Sequence, residues 1–303
     1  MKTADNHPMD WIRAKNERLN SLRPLDADTV KRLHEEMRVV HTYNSNAIEG
    51  NTLTFSETKL VLNEGITIGG KTLREHLEAT NNAQGYDLIV RLAQEHAPIN
   101  HITIQQIHEV VTRSILESAG RYRTKNVRIT GATRSPTEWQ HIIREIDNLI
   151  KDIAKNDRTV IEMTAYLHHQ FVAIHPFMDG NGRVARLLGN LHLIRNRYPP
   201  IILEKATRQQ YYRALRQADN GDLSSFVHFI ARAVNESLSH YLVIAGDNNA
   251  LIPLRDLAKV SPYSQEYLSL AARKGLLDAT KIGDIWHATV SALDEYCRGH
   301  GRK

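Results

Sequence analysis

Residues 175–186, His-Pro-Phe-Met-Asp-Gly-Asn-Gly-Arg-Val-Ala-Arg, interrupt a helical hydrophobic rhythm and constrain this chain more than any other segment. An apolar stretch leads in over residues 160–174, and Leu187, Leu188, Leu191 and Ile194 lead out at helical spacing. Pro176 disfavours helical geometry at His175, so the first helix should end there. Gly180-Asn181-Gly182 can adopt backbone conformations closed to bulkier residues, and so can point successive amides into one concavity where the next helix begins. The helix dipole favours an anion at that place, and a polyphosphate is the natural occupant. Arg183 and Arg186 stand three apart on the new helix, on neighbouring faces, and both can fold back toward the same anion. Asp179, just before the nest, is a hard carboxylate of the kind that shares Mg²⁺ with phosphates. His175 alone in the loop exchanges a proton near neutral pH, which makes it the base for a hydroxyl attacking phosphorus. Transfer to phosphorus is largely positioning and charge neutralisation, and the loop supplies both. Taken singly, these are turn residues and a solvated face; together, between two helices, they read as one site.

The rest of the chain is mainly helical in pattern. Val30, Leu33, Met37 and Val40 recur at three- and four-residue steps and predict a helix over 28–48, stopped by Gly50. Thr54-Phe55-Ser56-Glu57 matches a capping box ahead of Leu60, Val61 and Leu62. Helices are expected over 73–93, 102–116, 139–153, 160–174, 207–218 and 223–243, with a break at Pro199-Pro200. Residues 121–136 read differently. Tyr122, Val127 and Ile129 lie among arginines and threonines, with Gly131 and Pro136 as turn signals, which predicts a short hairpin. A polar run over 246–250 predicts a linker. Beyond it, residues 254–259, 264–274 and 288–296 read as short helices, with a strand pair over 276–286 turning at Gly283. The expected divisions are an N-terminal helical region (1–98), a core (99–245) and a small C-terminal domain (251–303).

Composition narrows the setting. A chain of 303 residues with 24% charged side chains has enough apolar content for a globular core. Net charge is +5 and the pI about 9.2, a mild basic excess suited to polyanions, although acids and bases are interspersed throughout. The single cysteine, Cys297, leaves no intrachain disulfide framework or multi-cysteine zinc site, and fits a reducing compartment. The polar first residues carry no signal-like apolar region, and no apolar run approaches the ~20 residues of a membrane helix. A cytoplasmic protein without membrane partners is expected.

Residues 175–186 match the Fic signature, His-Pro-Phe-x-Asp-Gly-Asn-Gly-Arg-x-x-Arg, at every defined position, and the chain resembles this family over most of residues 40–245. The resemblance implies a mainly α fold with a helical core and a β-hairpin flap, and transfer of AMP from ATP to a protein hydroxyl. His175 would be the base, Asp179 the Mg²⁺ ligand, Gly180, Asn181 and Gly182 the phosphate nest, and Arg183 and Arg186 the phosphate arginines. Val127, Arg128, Ile129, Thr130 and Gly131 would form the flap that holds a target segment extended, by strand addition. Tyr212 and Asp219 fall in the region that cradles adenine; the family commonly has asparagine where this chain has Asp219. Ser45-Asn46-Ala47-Ile48-Glu49-Gly50 resembles the family's inhibitory Ser/Thr-x-x-x-Glu-Gly/Asn motif. That likeness implies that Glu49 pairs with Arg186, with Ser45 and Gly50 completing the motif. ATP would then sit in a pose unsuited to in-line attack.

Residues 251–303 resemble a small winged-helix module. They carry eight Lys/Arg against six Asp/Glu, a net of plus two, which is thin for a DNA-binding surface. Docking of a protein is an equal expectation. Three readings stay open: an autoinhibited adenylyltransferase acting on an unidentified protein, itself included; a hydrolase removing AMP, or transfer of another phosphate-containing group, at the same site; and a DNA-binding regulator acting through the tail. A homodimer is compatible with each.

Overall fold

The computed structural model describes residues 7–128, 134–155, 157–246, 251–282 and 285–300. The helices are α1 (His7–Ser21), α2 (Ala27–Ile48), α3 (Phe55–Glu64), α4 (Leu73–Gln94), α5 (His101–Thr112), α6 (Ile142–Lys155), α7 (Val160–Ile174), α8 (Asn181–Arg195), α9 (Arg208–Asp219), α10 (Ser224–Ile244), α11 (Leu254–Leu257), α12 (Gln265–Arg273) and α13 (Val290–His300). The strands are β1 (Ile252–Pro253), β2 (Ala279–Ile282) and β3 (Ile285–Ala288). Short 3₁₀ turns at Trp139–His141, Lys205–Thr207 and Ala258–Val260 lead into or follow helices. Among the described residues no helix is long and apolar enough to cross a membrane.

Two compact units result, one of His34–Ile230 and one of residues 1–33 with 231–303. These boundaries do not follow the expected divisions at 98 and 245. In the larger unit, α8 packs against α7, α4 and α5. Its Val184, Ala185, Leu187, Leu188 and Leu191 are wholly buried, which explains why its apolar positions run almost all round the helix. The capping box read at Thr54 starts α3, with Glu57 N donating to Thr54 Oγ1 and Thr54 N to Glu57. The same reciprocal pairing starts α4 at Thr72 and α7 at Thr159, each cap contributing about 1 kcal/mol.

Two expectations change, and one helix was not expected. The helix expected over 102–116 ends at Thr112, because buried Asn81 of α4 donates to the carbonyls of Arg113 (2.7 Å) and Val111 (3.4 Å) and takes them out of the helical ladder. The hairpin expected over 121–136 shows no strand at 121–128 or 134–136, and its centre, Ile129, Thr130 and Gly131 included, lies outside the described residues. At the described ends, Arg123 donates to the carbonyl of Lys125 (2.7 Å) and to that of Thr137 just beyond the segment, and Asn126 Oδ1 accepts from Trp139 N (2.9 Å). Finally, α1 was not legible in the polar N-terminal sequence, although its Ile12 and Leu19 are buried.

In the smaller unit, Lys15 of α1 donates to Asn235 Oδ1 (3.0 Å) and Ser239 Oγ (2.9 Å) on α10 and pairs with Asp278 (2.5 Å). The C-terminal residues build their own core from Leu254, Leu257, Leu268, Leu277, Leu293 and Tyr296. Their sheet is antiparallel with order β1-β3-β2; the expected strand pair is β2 and β3, in register from Ala279↔Ala288 to Ile282↔Ile285. Gly283 and residues 247–250 of the expected linker lie outside the described residues.

Candidate active site

The loop between α7 and α8 is shaped partly by its own residues and partly by side chains from outside it. α7 stops at Ile174, and His175 takes a left-handed conformation (φ 52°) while its amide still bonds Phe171 O at 3.0 Å. Phe177 is fully buried and stacks on His108 of α5, ring centroids 3.6 Å apart. Asn181 brackets it: its Oδ1 accepts from Phe177 N (3.0 Å) and its Nδ2 donates to Phe177 O (2.9 Å). The Asn181 side chain therefore closes the loop and leaves only its backbone amide for a ligand. Gly180 has φ 80°, and a Cβ there would meet Thr112 Cγ2 at 2.9 Å, so the close turn requires glycine. α8 then starts at Asn181, and the amides of residues 181–183 have no carbonyl of their own helix to bond.

Two buried side chains hold this loop from outside, and neither was singled out from the sequence. His108 accepts from Gly120 N at Nδ1 (2.9 Å), so its Nε2 carries the proton and donates to Asp179 O (3.1 Å). Burial pushes its pKa down to about 4 and keeps it neutral. Arg123, 3% exposed, donates through Nε to His175 O (2.8 Å) and through Nη2 to Ile174 O (3.4 Å), and its own amide bonds Pro176 O (2.9 Å). A buried arginine serving carbonyls has no sequence signature, because its partners are backbone atoms that any residue carries.

Around the start of α8 the charges are arranged in two groups. Arg186 is buried; its Nε donates to Ser45 Oγ (2.9 Å), and its Nη2 to Ser45 O (2.9 Å) and Glu49 Oε1 (2.7 Å). Glu49 lies just past the end of α2, beside Gly50 (φ 101°), and its carboxylate rests against Gly182 so closely that a Cβ there would overlap it. Arg183 is also buried, 3.5 Å from both Glu78 Oε1 and Asp179 Oδ1. Arg183 Nε and Nη1 and Arg186 Nη1 find no hydrogen-bond partner among the described residues. Asp179 accepts from Gly180 N (2.6 Å) and pairs with Arg74 of α4 (2.5 Å). Burial works to raise its pKa, but Arg183, the Gly180 amide and Arg74 outweigh it and hold the carboxyl below the usual range.

His175 stands at the mouth of this arrangement. Burial, reinforced by Arg123, pushes its pKa below the ordinary histidine value, so the ring is neutral at pH 7. Its Nδ1 faces Val172 O at 3.4 Å, which assigns the proton to Nδ1 and leaves Nε2 as the basic nitrogen.

Tyr211 is core, its hydroxyl bonded to His168 Nε2 (2.8 Å), whereas Tyr212 is partly exposed with Arg208 4.9 Å from its ring centroid. Asp219 Oδ1 pairs with His169 Nε2 (3.0 Å), an interaction the reading of Asp219 as an adenine contact did not include. Val127 and Arg128 lie in irregular chain. Among the described residues no group of three His, Cys, Asp or Glu could cage a metal alone. A lone carboxylate beside an anion nest instead fits Mg²⁺ held jointly with a ligand's phosphates.

A helical core whose helices α7 and α8 are joined by a loop carrying helix-end amides, buried guanidinium groups and a neutral imidazole has the make-up of an anion-directed site of the Fic type. The Fic/DOC family model matches residues 98–193. The structure of Fic-1 (aa134 - 508) from C. elegans is 30% identical with a TM-score of 0.70, over 79% of this chain and 72% of that one. The Fic domain containing signaling protein from Bacteroides thetaiotaomicron is 28% identical with a TM-score of 0.73, over 78% and 98%. The chain belongs to the Fic/DOC family. It is 35% identical over 224 residues to the protein adenylyltransferase fic-1 of Caenorhabditis elegans, which covers 70% of this chain and 43% of that protein. The chain thus spans about half the length of the curated relatives it matches.

Proposed function

We propose that this chain is a protein adenylyltransferase that moves AMP from ATP to a serine, threonine or tyrosine hydroxyl, restrained by Glu49. The observation that supports the reading is the clustering, at the first turn of α8, of helix-end amides and two buried arginines with unpartnered N–H groups, with His175 close enough to feel the charges of Glu49 and Asp179. The triphosphate lies along the amides of residues 181–183, with Arg183 beside it. His175 Nε2 takes the proton of the incoming hydroxyl, the hydroxyl oxygen bonds the α-phosphorus, and pyrophosphate leaves. Asp179 would hold Mg²⁺ together with the phosphates, and that ion would neutralise their charge. Tyr212 and Asp219 would serve the adenine end and Val127 and Arg128 the target, while Ile129, Thr130 and Gly131 of the same expected flap lie outside the described residues.

Glu49 restrains this chemistry by position and charge. Its carboxylate rests on the amide end of α8, at Gly182, and occupies the guanidinium of Arg186. A terminal phosphate would meet a like charge and find its cation taken. ATP then binds displaced from in-line geometry. Incubating wild type and His175→Ala with Mg²⁺, ATP and cell lysate, followed by mass spectrometry of the modified proteins, tests the reading. Peptides carrying AMP that depend on His175 support it; another adduct, or AMP-peptides independent of His175, would overturn it.

The element order β1-α11-α12-β2-β3-α13 of the C-terminal module is compatible with the winged-helix likeness, and protein docking suits it better than DNA. Its α12 exposes Tyr267 (46%) and Leu270 (43%) and carries Glu266 in its first turn, whereas phosphate contacts need a basic face. Salt-sensitive binding of the full chain to duplex DNA would reverse that preference.

A further inference from the structure

The carboxylate that the proposed function gives to a metal already holds a cation of the protein's own. Arg74 is the second residue of α4, and its Nη2 lies 2.5 Å from Asp179 Oδ2. Its Nε lies 3.1 Å from Glu78 Oε1, one turn further along. Glu78 in turn faces Arg183 Nη1 at 3.5 Å and accepts from Asn51 Nδ2 at 3.0 Å, while Arg183 Nη2 faces Asp179 Oδ1 at 3.5 Å. Arg74, Asp179, Arg183 and Glu78 thus form a closed ring of two cations and two anions. In that ring both Asp179 oxygens are engaged, Oδ1 by the Gly180 amide and Oδ2 by Arg74.

We infer that Arg74 is an internal competitor of the divalent cation: it neutralises Asp179 while no metal is bound and must swing away before Asp179 can serve as a ligand. This rests on the proposed nucleotide site. The argument is one of charge and reach. A guanidinium stays protonated throughout the working pH range, so Oδ2 is freed only by movement of the side chain. A dication at Asp179 would stand a few ångströms from that fixed positive charge and be repelled by it. Arg74 is free to move, since its side chain is 55% exposed, and Glu78 offers a pivot that keeps it paired after release. Arg183, by contrast, is 3% exposed and cannot leave. The metal therefore meets one displaceable and one permanent arginine, and its affinity is set by the displaceable one. A bystander arginine that merely ties α4 to the loop would have the opposite effect, because its removal would loosen Asp179 and weaken the metal.

The discriminating experiment titrates Mn²⁺ into the full chain with ADP at fixed concentration and follows free Mn²⁺ by electron paramagnetic resonance. ADP lacks the terminal phosphate that Glu49 opposes. Wild type, Arg74→Ala, Arg74→Lys and Asp179→Asn are compared, each checked for folding by thermal melting. The expected result is an apparent Mn²⁺ dissociation constant about fivefold lower in Arg74→Ala, as befits loss of a half-exposed ion pair. Arg74→Lys should stay near wild type and Asp179→Asn should bind more weakly. If Arg74→Ala does not fold, Arg74→Gln keeps the length and removes the charge, and the same tightening is expected. Unchanged or weaker Mn²⁺ binding in the neutral variants, with Asp179→Asn still impaired, overturns the role of Arg74 alone. Absence of ADP-dependent Mn²⁺ binding in every protein overturns the nucleotide site, and this inference with it.

Discussion

Glu49 and Gly182 show how much can turn on a pair of residues. The carboxylate reaches Arg186 at 2.7 Å only because Gly182 presents no side chain in its way. Glu49→Gly should raise AMP transfer about tenfold to a hundredfold, the weight of a charge-assisted hydrogen bond, measured as initial rate of label incorporation. An unchanged or lower rate in a folded variant would count against restraint by Glu49. His175→Ala should lower transfer by about a hundredfold or more, the usual worth of a general base, while ADP affinity measured by calorimetry stays near wild type. Burial lowers the pKa of His175, so its ring stays unprotonated below the ordinary histidine value. In Glu49→Gly the pH profile of kcat/KM should accordingly hold level as pH falls through 6.5 and drop only at more acid values. The residues 175–186 were legible because the chemistry needs a fixed order of types along one short run. Arg74, Arg123 and His108 were not, since each acts from a distant element and meets the loop only in three dimensions.

At the scale of elements, the loop owes its shape to neighbours more than to itself. Arg123 serves the carbonyls of Ile174, His175, Lys125 and Thr137 at once. Arg123→Met would keep volume and leave these acceptors unpaired, which should destabilise the chain by about 3 kcal/mol in urea unfolding. A loss well under about 1 kcal/mol would mean that water replaces the guanidinium, as it does for exposed acceptors. Helix starts were readable where a threonine and a glutamate three residues on form a capping box, as at Thr54. Helix ends set by tertiary partners were not: α5 stops where Asn81 reaches across from α4. The described ends of the expected hairpin carry no strand, and there the Lys125 carbonyl accepts from Arg123.

The whole molecule carries an acid sensitivity in its core. His41, His108 and His168 are buried, and burial pushes their pKa values from 6.5 down to about 3, 4 and 3. Unfolding lets each take up a proton below its ordinary pKa, so the unfolded state binds more protons and stability rises with pH. It should be fully present above 6.5 and fall by about 1.4 kcal/mol per histidine for each pH unit below that, until the folded values are approached. Melting temperatures flat between pH 7 and 5 would contradict this. The helical class was visible in the hydrophobic period, but the division into units at 33 and 230 was not, because the first helix and the last elements are joined through contacts such as Lys15 with Asp278 that sequence distance conceals. The most direct test of the proposed activity uses the full chain with ATP labelled separately at the α- and γ-phosphate. Glu49→Gly should incorporate the α label into protein and exclude the γ label, with wild type well below it and the Glu49→Gly, His175→Ala double variant at background. Incorporation of γ label, or none of either in Glu49→Gly with every candidate target present in lysate, would contradict adenylyl transfer at this loop.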